Sequence, residues 1–297
     1  MGWLAAAVET SADRLRQVAE LYPGIVLHSG VEEAAQAGYD GYVVATPAET
    51  HFALASCLLS HNCNVLVEKP MTLDPADAAA LVELAATRGK TLMTGHLLLF
   101  HPAIRKIKEL TAQGAVGRLQ YIYSTRLNLG TVRTTENVFQ SFAPHDISVL
   151  EYLAGAPAAD ITAQGARILQ PGICDTVLAE LAYPGGIRAH IHVSWLHPFK
   201  EQRLVIVGSD GMISFDDASD KQIRLYHRHV VFRDGRPAVE EGPEEIVPYD
   251  RGRMPLEEEL RYFAEHPDGT ATIADGRCGY GTVLVLDRVQ RLLEQSA

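Results

Sequence analysis

The sequence predicts an α/β protein in two parts, a doubly wound parallel sheet followed by an α/β portion on a large, mostly antiparallel sheet. Three observations carry that expectation. Short apolar runs alternate with helical patterns as far as Thr94, as in a parallel sheet covered on both faces. One of those runs closes on the charged tripeptide Glu68-Lys69-Pro70. Beyond residue 119, period-two alternation and glycine turns replace the earlier rhythm. A length of 297 residues exceeds one ordinary domain, and the change of rhythm sets the expected division at 1–98 and 99–297.

The elements follow in order. Leu4-Ala5-Ala6-Ala7-Val8 is a strand ending at Glu9, and Thr10-Ser11-Ala12-Asp13 supplies capping chemistry for a helix through Leu21. Ile25-Val26-Leu27 is the next strand, with a short helix after it, and Gly41-Tyr42-Val43-Val44-Ala45 the third, with a helix over 49–59. Val65-Leu66-Val67 and Thr91-Leu92-Met93-Thr94 continue the series around an alanine-rich helix at 76–87. In the second part, 119–129, 177–183, 187–195, 203–207 and 212–215 alternate as strands. Pro184-Gly185-Gly186 and Ser209-Asp210-Gly211 mark hairpins. Amphipathic segments at 135–153, 256–264 and 282–293 predict helices.

Open parallel sheets hold ligands outside the carboxyl ends of their strands, which is where Lys69 falls. Pro70 lacks an N–H and ends the strand there, and Glu68 is expected to orient the lysine. Thr46 and Pro47 shape a tight loop at the neighbouring strand end, and the amides of the helix that follows favour a polar or anionic ligand. A dinucleotide-binding (Rossmann-like) sheet opens with a strand, G-x-G-x-x-G and a helix, ahead of a second strand ending in an acid. This chain begins at what resembles that second strand, with Glu9 as the acid, and no G-x-G-x-x-G stands near the start. The expectation is that about 25–30 residues, the first βα unit, are missing. The alternative is a true start at Met1 and a lost pyrophosphate cradle. Glu9 would accept both ribose hydroxyls and repel a 2′-phosphate, selecting NAD over NADP.

Composition excludes several classes. A formal charge of −11 without a basic cluster argues against nucleic acid. No apolar run reaches the ~20 residues of a membrane span. Cys57, Cys63, Cys174 and Cys278 have neither metal-ligand spacing nor a disulfide framework. The expectation is a reduced, cytoplasmic protein without a metal.

Ala45-Thr46-Pro47-x-x-x-His51, Glu68-Lys69-Pro70 and Thr94-Gly95-His96 running into Phe100-His101-Pro102-Ala103 together resemble the Gfo/Idh/MocA family of sugar and polyol dehydrogenases. The resemblance spans the chain apart from its missing opening. It implies NAD as cofactor, with Glu9, Thr46, Pro47, His51, Glu68, Lys69 and His96 around it, and Lys69 by the nicotinamide and the substrate hydroxyl. It also implies a homodimer or homotetramer formed through the large sheets. The family's D-x-x-x-H places its proton acceptor at His145, with Ser141 where the aspartate is expected, a departure that removes the usual charged partner. Arg126-Leu127-Asn128-Leu129-Gly130, residues 141–148 and Ser194-Trp195-Leu196 are similar to one branch. That branch oxidises C3 of UDP-N-acetylglucosamine or its uronate. Arg126, Asn128, Arg133, Ser141, Asp146 and Trp195 are thus the candidate substrate contacts.

In that chemistry the imidazole of His145 takes the hydroxyl proton and Lys69 stabilises the alkoxide, with the reverse assignment open. Two rivals remain: another sugar or polyol dehydrogenase, and a non-catalytic binding or assembly protein lacking a cofactor cradle.

Overall fold

In the computed structural model, residues 4–295 are described; residues 1–3, where the chain begins, lie outside them. The chain divides into two compact units. The first runs to Gly95 and takes back Leu260–Tyr280; the second is His96–Glu259 with the residues from Gly281 onward. The expected division into 1–98 and 99–297 omits that return.

The first unit alternates β1 (Ala6–Val8), α1 (Ala12–Leu21), β2 (Val26–His28), α2 (Val31–Gln36), β3 (Tyr42–Val44), α3 (His51–Ser60), β4 (Val65–Val67), α4 (Pro75–Arg88) and β5 (Leu92–Thr94). The helices begin where the sequence offers caps. The Ser11 side chain accepts the Arg14 amide, and Asp74 accepts that of Ala76 ahead of Pro75. Every strand pairing is parallel. The expected single sheet, covered on both faces, is however divided: β1 pairs with β2, and β3–β4–β5 form a separate sheet. β1, β2 and β3 each have one unpaired edge among the described residues, and Val8, Val26 and Val43 are exposed. β4, flanked on both sides, is fully buried.

The returning segment covers the outer edge of β5. Met93 and Asp275 form an antiparallel bridge, and the Thr94 amide donates to the Ala274 carbonyl. Asn64 Oδ1 accepts the amides of both Thr91 and Asp268. A sheet edge left bare is a pairing hazard, and this segment occupies it.

The second unit comprises α5 (Pro102–Ala112), β6 (Leu119–Leu127), α6 (Val138–Phe142), α7 (Pro144–Ala154), β7 (Asp160–Ala166), β8 (Thr176–Ala182), β9 (Arg188–Ser194), β10 (Glu201–Gly208), β11 (Met212–Asp216), β12 (Ile223–Tyr226), β13 (His229–Arg233), β14 (Arg236–Glu240) and β15 (Glu244–Val247). Eight strands make one sheet in the order β15-β12-β11-β10-β6-β9-β8-β7. All neighbours are antiparallel except β6 and β9. β13 and β14 form a separate hairpin. Alternation assigns the faces: Ile122, Ile191 and Ile206 are buried, whereas Tyr121, Tyr123, His190, His192 and Val205 lie on the other, partly open face. Each buried residue of this kind contributes about 1.5–3 kcal/mol. α8 (Pro255–Glu265) and α9 (Gly276–Gln295) complete the chain, each lending residues to both units.

The helix expected over 135–153 is two helices, because Pro144 has no N–H to continue α6 and opens α7 at its first position. Farther along α7, the Glu151 carboxyl abuts Gly281, whose ideal Cβ would lie 2.7 Å from Glu151 Oε2. Burial pushes this carboxyl up to about 7. It also faces the buried Tyr183, whose own pKa is raised by burial and by the Glu151 charge. Because the folded carboxyl titrates above the unfolded one, its stabilising contribution is complete below about pH 4.5 and is lost as pH rises to about 7. Across that window the unfolding free energy of the wild type from urea titration should fall relative to Glu151→Gln, by up to about 3 kcal/mol. Parallel pH profiles for the two proteins would refute this.

Candidate active site

At the carboxyl ends of β3, β4 and β5, three short segments lie side by side. Ala45-Thr46-Pro47 is exposed, Glu68-Lys69-Pro70 half-buried and Gly95 buried. The backbone ladder fixes them: the Glu68 amide donates to Val44 O, and the Gly95 amide to Val67 O. The Lys69-Pro70 peptide is cis. Gly95 is required by close approach, since a Cβ there would lie 2.8 Å from Glu68 Oε2 and 3.3 Å from Glu68 Cα. Glu68 does not pair with the lysine ammonium; its carboxylate accepts the Lys69 backbone N–H at 3.3 Å. Among the described residues the Lys69 ammonium has no hydrogen bond or ion pair. The outcome is a charged group with locked neighbours and a free tip.

His51, expected against the cofactor, is 1% exposed. Its Nδ1 lies 2.8 Å from the Pro70 carbonyl and its Nε2 lies 2.9 Å from that of Thr46. Burial removes it from direct contact with a ligand and makes it part of the loop framework. Glu9, at the end of β1, accepts the Ser11 amide at 2.9 Å and lies 3.5 Å from Arg14 Nη1. The Ser11 amide and Arg14 together hold its carboxyl below the usual range, so it is ionised at neutral pH.

In the second unit His145 occupies the first turn of α7, next to Asp146. Asp146 is 4% exposed and accepts from Ser124 Oγ and from Arg126 Nε at 2.7 Å. This ion pair fastens the carboxyl end of β6 to the turn that carries His145. Arg126 and Asp146, both expected to hold substrate, are bonded to each other, and removing one partner of a buried pair costs about 3–5 kcal/mol. They border a cavity of about 40 Å³ with His101, Gln202 and Asp217. Ser141, in α6, is half-buried, and among the described residues its hydroxyl has no hydrogen bond.

Trp195 is likewise not a substrate contact. It is fully buried, and its one donor, Nε1–H, reaches Asp175 Oδ1 at 2.6 Å. Asp175 also accepts the amides of Ile168 and Leu169. Burial alone would raise the Asp175 carboxyl, and these donors outweigh it and lower its pKa. His96 is fully buried with Nε2 3.3 Å from Thr282 Oγ1. Asn128 is half-buried and bonds Ser194 O through its amide, while Arg133 is exposed beside Glu136. Sequence reasoning missed Gly95 as the residue that admits Glu68, and Ser124 and Asp175 as holders of buried carboxylates. A small residue at a strand end was the one available signal.

A dinucleotide fits these residues in part. Glu9 offers an ionised acceptor for ribose hydroxyls, and Lys69, Thr46 and Pro47 stand at strand ends that can receive the nicotinamide half. Among the described residues no G-x-G-x-x-G turn joins a strand to a helix for the pyrophosphate. No group of three or more His, Cys, Asp or Glu able to hold a metal occurs among them either.

A parallel sheet with a free lysine at its carboxyl edge, in a chain whose other unit is built on a broad mixed sheet, is consistent with a dinucleotide-dependent oxidoreductase. Residues 3–96 match the oxidoreductase family with an NAD-binding Rossmann fold, and residues 104–214 match the Gfo/Idh/MocA C-terminal domain. The chain belongs to the Gfo/Idh/MocA family of oxidoreductases. It is 27% identical to the UDP-N-acetylglucosamine 3-dehydrogenase of Acidithiobacillus ferrooxidans, over 89% of this chain and 82% of that one. A crystal form of that enzyme superposes with a TM-score of 0.84 at 26% identity, covering 98% of this chain and 90% of the other. The Thermotoga maritima myo-inositol 2-dehydrogenase is 24% identical over 75% of this chain and 70% of its own length.

Proposed function

We propose that the protein is an NAD-dependent dehydrogenase of a sugar hydroxyl, with C3 of a UDP-N-acetylated sugar as the position oxidised. The observation that carries the chemistry is the Lys69 ammonium, free at its tip and fixed at its base. The substrate class rests on likeness to the UDP-N-acetylglucosamine 3-dehydrogenase. Its four free thiols suit the cytoplasm.

When bound, NAD+ supplies the acceptor for the hydride leaving the carbinol carbon. His145 takes the hydroxyl proton as general base, and Lys69 stabilises the oxyanion that forms as the proton leaves. Glu9 would hold the adenosine ribose, and Thr46 and Pro47 would border the nicotinamide half. Asn128, Arg133 and Ser141 are the substrate contacts that burial leaves open. A polyol such as an inositol is the second reading, favoured by one observation: Arg126 Nε and Nη2 are already bonded to Asp146, which leaves fewer of its donors for a diphosphate. Assay of UDP-N-acetylglucosamine against myo-inositol with NAD+ separates the two.

Lys69→Ala and His145→Ala should each lower kcat by at least ~10² with the fold intact by circular dichroism. Near-normal turnover in His145→Ala would remove it as the base. Fluorescence titration should show NADH binding more tightly than NADPH, because the ionised Glu9 repels a 2′-phosphate; equal or tighter NADPH binding would overturn that assignment. The partly open face of the eight-stranded sheet, with Leu178 and Ile246 exposed near its two ends, is proposed as the surface of a homodimer or homotetramer. Light scattering at micromolar concentration decides it, and a clean 32.4 kDa monomer would refute it.

A further inference from the structure

The imidazole of His51 sits between two backbone carbonyls that belong to different loops. Thr46 O, 2.9 Å from Nε2, follows β3, and Pro70 O, 2.8 Å from Nδ1, follows β4. Carbonyl oxygens only accept, so the ring donates through whichever nitrogen carries hydrogen, and through both when protonated. The ring is 1% exposed, so water does not compete for either bond. His51 is also the first residue of α3, which packs against α4 and β4. It is therefore a rigid post rather than a mobile side chain.

Pro70 is the residue after Lys69. On the other side of the lysine, Glu68 is confined by Gly95, and its carboxylate holds the Lys69 amide. With both neighbours fixed, the Lys69 Cα position is set, and the His51 bond is the one that sets it from the carboxyl side. The same ring anchors the Thr46 loop, itself closed by the Thr46–Thr50 hydroxyl pair and the Thr50 bond to Pro47 O.

We propose that His51 is a positioning residue: its ring, wedged between Thr46 O and Pro70 O with a nitrogen within hydrogen-bond distance of each, locks the strand ends that aim the Lys69 ammonium. This rests on the reading of Lys69 as the group that stabilises the alkoxide, and it adds a buried residue that touches neither substrate nor cofactor. Misplacing a catalytic group by about 1 Å can cost ~10² in rate, so a bond lost beneath Lys69 registers as turnover.

The test has a readout independent of activity. Reductive ¹³C-methylation labels the six lysines, and loss of one resonance in Lys69→Arg assigns Lys69. In His51→Ala, and in His51→Gln should the first fail to fold, the Lys69 resonance should shift or broaden while the other lysines hold their positions. A Lys69 resonance unchanged in a folded His51 variant overturns the proposal. Kinetics with NAD+ and UDP-N-acetylglucosamine supply the second arm. His51→Ala should lower kcat by about 10- to 100-fold, yet add no further loss in a Lys69→Ala background, because it acts through the lysine. A full additional loss there overturns the proposal and leaves the role of Lys69 standing. Unimpaired turnover in Lys69→Ala alone would instead defeat the reading of Lys69 itself.

Discussion

A charged side chain can be presented at a sheet edge only if the strand beneath it cannot slip. β4 meets that condition: it is hydrogen-bonded on both sides and buried along its whole length. A slip of one residue would turn every side chain to the opposite face, so its register is held by the packing of Val65, Leu66 and Val67. Glu68-Lys69-Pro70 must then leave the sheet at one place. Gly95 gives Glu68 room, and His51 meets the Pro70 carbonyl. The neighbours of the lysine are confined in this way while its ammonium stays free.

The second unit fixes the turn that carries His145 by a different device. His145 stands in the first turn of α7, directly after Pro144, which has no N–H to continue α6. The adjoining Asp146 ties this turn down with a bond from Ser124 and an ion pair to Arg126, both on the buried face of β6. A buried ion pair contributes little net stability over an apolar pair, yet is costly to break from one side. It is thus suited to fixing where a turn must lie. Asp175 repeats the pattern with Trp195 and two backbone amides. The polar groups that sequence alone presents as ligand contacts include several that fasten the scaffold.

Much of the architecture was legible in the sequence because it depends on local period. The βα rhythm as far as Thr94, the alternation of 119–129 and the glycine turns at 184–186 and 209–211 all follow from the side-chain geometry of strands and tight turns. The halves of the large sheet were not equally legible. β7, Asp160–Ala166, carries alanine, glycine and glutamine, which have no strong strand preference. The parallel placement of β9 beside β6 is a long-range choice that no local pattern contains.

The sequence by itself determined the family, the carboxyl-edge position of Lys69 and the acidic end of the first strand, because motif and periodicity are properties of neighbours along the chain. Only the tertiary structure decided which polar residues remain available. Trp195, His51, His96 and Asp146 have the same functional groups in either view, but burial and a partner from a distant segment commit them to the framework. The divided parallel sheet, and the return of Leu260–Tyr280 to cover β5, were decided there as well. The physical reason is common to all of them: hydrogen-bond partners and solvent exposure are set by residues far apart in sequence, and folding alone brings those residues together.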